Sequence, residues 1–391
     1  MNQDALADLP ASEQTPAALL ALVKANESSP EALRAMADAL EQSYEKSPPP
    51  EFIRMLIAIA RGSQMGPGEG WFGAAESRYS WPWLAQRHGI SEDAAITIDT
   101  FRGSAKLFQR LDRNRDGQLD ADDFDWSDRN PVVRQFYLIN RLFRRFDRDG
   151  DGRIAREDLL DFFDKAANGR DELREDEFRD AFMGSLPGLA QGDAPTQDVL
   201  LRGLFRSELG SLQDGPKVEE PAPDFRLSTQ DGSRTIQLSE QLGSKPIVLV
   251  FGNFTCGPFR AMYPVVDELA ERYRDEAIFL GVYVREAHPT GGWQMESNFK
   301  VGVQVAQPQN YSARVRVAQQ CHTKLKYSIP LLVDEIHDPV GNAYSGMPSR
   351  MYLIDPSGMV AYKSGRGPFG FKSGELEQAL VMLLLDRQTA Q

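Results

Sequence analysis

Hydrophobic positions change period along this 391-residue chain. Between residues 16 and 62 apolar side chains recur at three- and four-residue spacing, which predicts two or three amphipathic helices broken at Ser47-Pro-Pro-Pro50. Leu107, Phe108 and Leu111, then Leu142, Phe143 and Phe146, bring the same spacing up to two acidic segments, and helices resume up to about Leu212. Past Pro246 the pattern changes. Residues 246–251 and 277–284 are almost wholly apolar and rich in branched side chains, as strands buried on both faces of a parallel sheet are. Between them, Met262, Val265, Val266, Leu269 and Tyr273 form one stripe of a helix over 258–274, with Pro258 suited to its first turn and Pro264 expected to bend it. Strand, helix and strand make a right-handed unit whose strands end on the same edge of the sheet. The run 213–223, rich in Pro, Gly and Glu, reads as an interdomain linker. Apolar stretches such as 53–60 are too short to span a bilayer, so no membrane anchor is expected.

Two acidic segments carry metal-ligand spacing. In the first, Asp112, Asn114, Asp116, the carbonyl of Gln118, Asp120 and Asp123 fall at positions 1, 3, 5, 7, 9 and 12 of a twelve-residue loop. In the second the corresponding oxygens come from Asp147, Asp149, Asp151, the carbonyl of Arg153 and Asp158. Gly117 and Gly152 supply the sharp turn at position 6, and the flanking apolar stripes complete helix–loop–helix units, so the segments read as an EF-hand pair in which Leu119 and Ile154 pair between loops. Both loops end in Asp, not Glu, and the shorter reach of Asp weakens Ca2+ binding and admits Mg2+. A third segment, 168–178, has no regular ligand series and reads as a degenerate hand or a plain helix.

The candidate chemistry lies at Cys256. It falls where the first apolar strand turns into a helix start, and a helix N-terminus stabilises a thiolate, so its pKa is expected below that of a free thiol. Glu286 and His288 follow the second strand and therefore emerge beside Cys256, as proton-handling groups. Phe259 stands where a thioredoxin would place a second cysteine, so no local disulfide closes; Cys321 is the one internal candidate to resolve an oxidised Cys256, with an external thiol reductant the default.

Phe251-Gly252, Thr255-Cys256-Gly257-Pro258-Phe259, Val282-Tyr-Val284, Glu286-Ala-His-Pro289, Gly292-Trp293, Pro330-Leu-Leu-Val-Asp334, Arg350-Met-Tyr-Leu-Ile354 and Gly365-Arg-Gly-Pro-Phe-Gly370 together resemble the iodothyronine deiodinases. The resemblance implies a thioredoxin-like fold, with Cys256 in place of the selenocysteine that attacks iodine. It also implies that Glu286 and His288 deliver protons and that Arg350 binds the charged end of a thyronine. The chain departs from that pattern at Asn253, Gly257 and Arg285, and has no histidine in 307–310. Pro221-Ala-Pro-Asp-Phe225 resembles the entry to peroxiredoxin and thiol-exchange domains, and Met347-Pro348 looks like the cis-proline site of the thioredoxin fold, which puts Pro348 beside the thiol.

Two cysteines exclude a disulfide scaffold and suit a reducing compartment, here the cytoplasm; a net charge of −13 argues against nucleic acid as a partner. Residues 1–15 show no apolar leader. The aromatic runs Gly66-Pro-Gly-Glu-Gly-Trp-Phe72 and Tyr79-Ser-Trp-Pro-Trp83 are expected to pack in a core. The expected architecture is an α+β multidomain chain: a helical region over 1–95, an EF-hand pair over 96–180, a helix and linker over 181–215, and an α/β thioredoxin-like domain over 216–391. The expected function is that of a calcium-binding, thiol-dependent oxidoreductase in which Cys256 attacks a small-molecule electrophile, whether halogen, peroxide or disulfide, with a thiol donor as second partner. A peroxiredoxin-like reductase and a Ca2+-responsive binding protein on a non-catalytic redox scaffold are the alternatives.

Overall fold

The computed structural model describes residues 15–44, 47–63, 74–127, 129–183, 195–367 and 370–389. Residues 1–14, the run from Gly66 to Phe72, Pro368 and Phe369 lie outside them.

The N-terminal half is helical, as its periodicity predicts. Its elements are α1 (Pro16–Asn26), α2 (Pro30–Gln42), α3 (Glu51–Ala60), β1 (Glu76–Ser77), α4 (Trp81–His88), β2 (Ile96–Thr97), α5 (Ala105–Leu111), β3 (Gln118–Leu119), α6 (Ala121–Phe124), α7 (Pro131–Phe146), α8 (Arg156–Ala167), α9 (Glu175–Met183) and α10 (Gln197–Phe205). Several helix starts are written in the sequence as a hydroxyl followed by proline. Thr15 caps α1 and Ser29 caps α2, each accepting from a backbone amide of the first turn. Leu19, Met36, Met55, Leu56, Leu200 and Leu204 form a small core among α1–α3 and α10, and Trp293 of the C-terminal half plugs into it.

The C-terminal half comprises β4 (Arg226–Thr229), β5 (Thr235–Gln237), β6 (Ile247–Gly252), α11 (Gly257–Arg272), β7 (Ile278–Tyr283), α12 (Glu296–Lys300), α13 (Tyr311–Leu325), β8 (Leu331–Val333), α14 (Pro339–Ala343), β9 (Arg350–Ile354), β10 (Val360–Lys363) and α15 (Ser373–Thr389). Its sheet has the order β1-β10-β9-β6-β7-β8-β4-β5. β6 runs parallel to β7, with Phe251 opposite Val282 and Gly252 opposite Tyr283, and antiparallel to β9. Every residue of β6 is buried, which explains its unbroken run of apolar side chains. The register carries the chain after Gly252 and the chain after Tyr283 off one edge together.

Two expectations are corrected. Leu119 pairs with Ile96, not Ile154: β3 forms its ladder with β2, so the first hand takes its β-partner from the segment after α4. Ile96 is as buried as Leu119, and this local pairing satisfies the hydrophobic position of the loop. The run 213–223 is not a free linker. Glu219 and Ala222 donate backbone bonds to Val360 and Gly358, and any side chain at Gly215 would strike the Tyr352 hydroxyl, so the segment is laid along β10. Of the aromatic residues near α4, Tyr79 and Trp81 are buried as expected.

Candidate active site and metal loops

Cys256 is the N-cap of α11, reached by a three-residue bend, Asn253 to Thr255, from the end of β6. Asn253 shapes that bend. Its Oδ1 accepts from the amides of Cys256 at 3.0 Å and Ala287 at 3.1 Å, while its Nδ2 donates to the carbonyl of Pro348 at 3.1 Å. One side chain thus pins the thiol turn, the loop after β7 and the proline before β9. The Met347–Pro348 bond is cis, as expected. Next to it, Ser349 Oγ lies 3.9 Å from Cys256 Sγ.

Glu286 is fully buried and does not project toward solvent. Its Oε2 accepts from the Thr255 amide at 2.9 Å and hydroxyl at 2.8 Å, and its Oε1 accepts from the Tyr283 hydroxyl. Burial raises its pKa, against which these donors work. The backbone amide of His288 donates to Thr255 Oγ1 at 3.0 Å, so Thr255 ties both predicted proton-handling residues to the peptide preceding Cys256. The His288 ring packs edge-on against Trp293, with Nδ1 3.1 Å from the Trp293 carbonyl. Burial pushes its pKa down to about 4, so the ring is neutral at physiological pH.

The expected acidification of Cys256 is corrected. The thiol is 2% exposed, and burial pushes its pKa above the ordinary value despite the Phe259 amide, Ser349 and Arg260, each of which favours the thiolate. Desolvation here outweighs the helix terminus. Cys321, on α13, is fully buried with its pKa pushed well above the ordinary range, first by burial and then by Glu286; both cysteines are free thiols.

Arg350 is 1% exposed and already holds a carboxylate. Glu51, the first residue of α3, receives its Nη2 at 2.8 and 2.7 Å and the Nη2 of Arg366 at 2.8 Å. Burial opposes the Glu51 carboxylate, yet Arg366 and Arg350 hold its pKa well below the usual carboxylate range. Glu51 has no role legible in the sequence, because an acidic residue at a helix start reads as a solvated N-terminal charge, and Arg366 shows there only as part of the family-like run 365–370.

In the first metal loop, Gly117 (φ 84°) makes the turn, and Asp112 Oδ1 is buried with no hydrogen-bond partner. In the second, Gly152 (φ 78°) makes the turn, and oxygens of Asp147, Asp149 and Asp151 lie within 4.8 Å of one another. Burial pushes Asp147 up to about 6, and the neighbouring charges of Asp151 and Asp149 add to it. An unsatisfied buried oxygen and a crowd of carboxylates suit a hard divalent cation. The Asp residues at position 12 are turned inward: Asp123 accepts from the amides of Arg113 and Asp120, and Asp158 from that of Ala155. Of the remaining predicted ligands, Asn114, Asp116 and Arg153 lie along the same loops, Gln118 begins β3 opposite Thr97, and Asp120 caps α6.

The second loop rests on the helix that carries the thiol. A Cβ at Gly152 would lie 2.6 Å from Pro264 Cγ and 2.8 Å from the carbonyl oxygen of Arg260, and one at Gly150 would lie 2.9 Å from Val301 Cγ1. Arg153 reaches the Leu325 carbonyl at the end of α13.

An iodothyronine deiodinase model matches residues 196–383, and an EF-hand model matches 105–125 and 139–163. Thyroxine 5-deiodinase of Gallus gallus is 33% identical over 177 residues, covering 45% of this chain and 67% of that enzyme. The chain belongs to the iodothyronine deiodinase family. The deiodinase of Rattus norvegicus is 31% identical over 157 residues, 40% of this chain, and the chain spans 50% of that enzyme's length. That of Aquarana catesbeiana is 34% identical over 163 residues, covering 41% and 58% respectively. Solved structures similar to part of the chain include the thioredoxin domain of a thiol-disulfide oxidoreductase from Bacteroides vulgatus (14% identity, 42% of this chain and 99% of that one, TM-score 0.30). The exposed lipoprotein thioredoxin of Streptococcus pneumoniae is another (24% identity, 40% and 98%, TM-score 0.27). The deiodinase match contains Cys256, Glu286, His288, Arg350 and Arg366; Glu51 and both metal loops lie before it. Among the described residues no helix is long and apolar enough to cross a membrane.

Proposed function

We propose that the chain is a thiol-dependent reductase that removes iodine from an iodoaryl substrate, with Cys256 as nucleophile. The reading rests on one observation: the sulfur sits at a turn held by Asn253, beside Pro348 and Ser349, with the buried acid Glu286 one residue away through Thr255. In the first step the Cys256 thiolate attacks iodine; the carbon–iodine bond breaks, its electron pair stays on the ring carbon, and that carbon takes one proton. Sulfur is oxidised to a sulfenyl iodide. A first external thiol displaces iodide to form a mixed disulfide, and a second releases the external disulfide and restores the Cys256 thiol. The sum is ArI + 2 RSH → ArH + RSSR + HI. Glu286, held toward its protonated form by burial, stores the proton, and His288, neutral at physiological pH, passes it without carrying charge. We place this chemistry in a reducing compartment, the cytoplasm, where external thiols are maintained.

The test is a substrate screen of the intact chain with iodophenol, a hydroperoxide and a mixed disulfide, each with several thiol donors. Iodide release dependent on Cys256 supports the reading; turnover of hydroperoxide or disulfide alone would replace it with a peroxiredoxin-like one. Glu286→Gln is expected to lower iodide release by about a hundredfold to ten-thousandfold, in line with general acid–base contributions, and His288→Asn by a similar factor; steady-state rates check both.

Calcium is the cation proposed for the two loops, with Mg2+ as competitor. When bound it would neutralise the crowded carboxylates. Asp147→Asn is expected to abolish binding at the second loop and leave the first, so calorimetric titration should lose one of two sites.

A further inference from the structure

We propose that Arg260 is a positioning residue for the reaction, the counter-charge that lets Cys256 ionise inside a closed pocket. This rests on the reading of Cys256 as nucleophile.

Arg260 lies one helical turn after Cys256, and its backbone amide closes that turn onto the Cys256 carbonyl at 3.2 Å. The side chain does not leave for solvent. It is 4% exposed and folds back over the start of α11, bringing Nη2 to 3.9 Å from the position a Cβ would take at Gly257. Its hydrogen bonds go to neutral oxygens only, the Phe254 carbonyl at 2.5 Å and Asn298 Oδ1 at 2.8 Å, and Nε has no partner. Asn298 in turn donates to the Thr255 carbonyl at 2.8 Å, so the guanidinium is braced, directly and through Asn298, against the two successive carbonyls before the thiol.

The other deeply buried arginines differ. Arg314 faces Asp338, and Arg350 and Arg366 share Glu51. Among the described residues Arg260 forms no ion pair. A guanidinium taken out of water without an opposite charge is costly, so this pocket favours whichever neighbour can become an anion. The ionisable groups that act on it are Cys256 on its own helix, Cys321 on α13, Glu286 after β7 and Asp147 in the second metal loop. Glu286 spends both oxygens on Tyr283 and Thr255. Asp147 accepts from the amides of Asp151 and Gly152. Cys256 lies one turn back on the same helix, and its thiolate is favoured by the charge of Arg260 and disfavoured by that of Glu286. A thiolate at Cys256 completes an ion pair that the fold leaves half-built.

The experiment follows the rate of Cys256 alkylation by iodoacetamide against pH, at fixed calcium, in the full chain carrying Cys321→Ser so that one thiol reports. Arg260→Met is expected to raise the pH midpoint by about one unit or more, a roughly tenfold slower reaction at a fixed pH below it. Arg260→Lys, which keeps the charge, is expected to shift it less. Asn298→Asp leaves the arginine in place and gives it a carboxylate, and is expected to raise the midpoint as well. Cooperative melting selects the variants that are scored. Midpoints unchanged in the folded variants would overturn the role of Arg260 while leaving Cys256 as nucleophile. A parent protein whose Cys256 stays unreactive to pH 10 until it is unfolded would overturn the nucleophile itself, a different result on the same plot.

Discussion

Cys256→Ser is expected to cut iodide release by at least about a thousandfold while the protein keeps its melting temperature within a few degrees. The two side chains are nearly the same size, and the site offers the hydroxyl a partner in Ser349. What changes is the chemistry. An alcohol at this position stays protonated at every pH the fold survives, and oxygen does not form a bond to iodine that an external thiol then exchanges. Because the sulfur is only 2% exposed, a general loss of packing is the competing cause of inactivity, and unchanged melting with lost turnover separates the two. Cys321→Ser is the matched control. Its thiol is equally buried and its pKa is raised further, so turnover that survives this change assigns the exchange steps to external thiols.

Glu51→Gln is expected to destabilise the fold by about 3 to 5 kcal/mol, the usual consequence of removing one partner from a buried ion pair. One carboxylate here serves two guanidiniums, and both arginines retain orphan Nε groups even with it in place. An amide would leave two buried cations facing each other. Replacing all three residues with apolar side chains of similar volume is expected to recover most of the loss, since the pair matters less than the imbalance. The pH dependence has a definite sign. The folded-state pKa of Glu51 is depressed, so its contribution is complete above the unfolded value of about 4.3 and is lost as pH falls below it. Wild type is therefore expected to lose stability below about pH 4 more steeply than Glu51→Gln, which denaturant titrations across that range would measure.

The parts of the site that were legible are those fixed by chain direction. Cys256, Glu286 and His288 come together because β6 and β7 are parallel and paired residue for residue, and a strand–helix–strand pattern has only one common handedness. The two EF-hand loops were legible for a similar reason, since a twelve-residue loop brings its own oxygens into one place. What depends on distant partners was not. Glu51 meets Arg350 across 299 positions of sequence, and nothing local to either residue marks the other. Leu119 found Ile96 in place of Ile154 because two branched side chains at equivalent loop positions look alike to a pattern. Asn253 stood out only as a departure from the family, although it is the side chain that joins three backbone segments at the thiol. The direction of the Cys256 pKa is not legible, because helix termini are visible in a sequence and desolvation is not.

The seam between the two halves runs inside the sheet. β1 comes from the N-terminal half and pairs Glu76 with Lys363 and Ser77 with Tyr362, while the backbone at 219–222 covers the rest of that edge. Anyone trimming the gene to a minimal catalytic fragment at the sequence's apparent linker would strip this cover, uncap β10 and leave its free amides and carbonyls open to strands of other molecules. Such a truncation is expected to favour edge-to-edge association of the fragment. The helical half is, in this respect, the hem that keeps the redox sheet from fraying into aggregates.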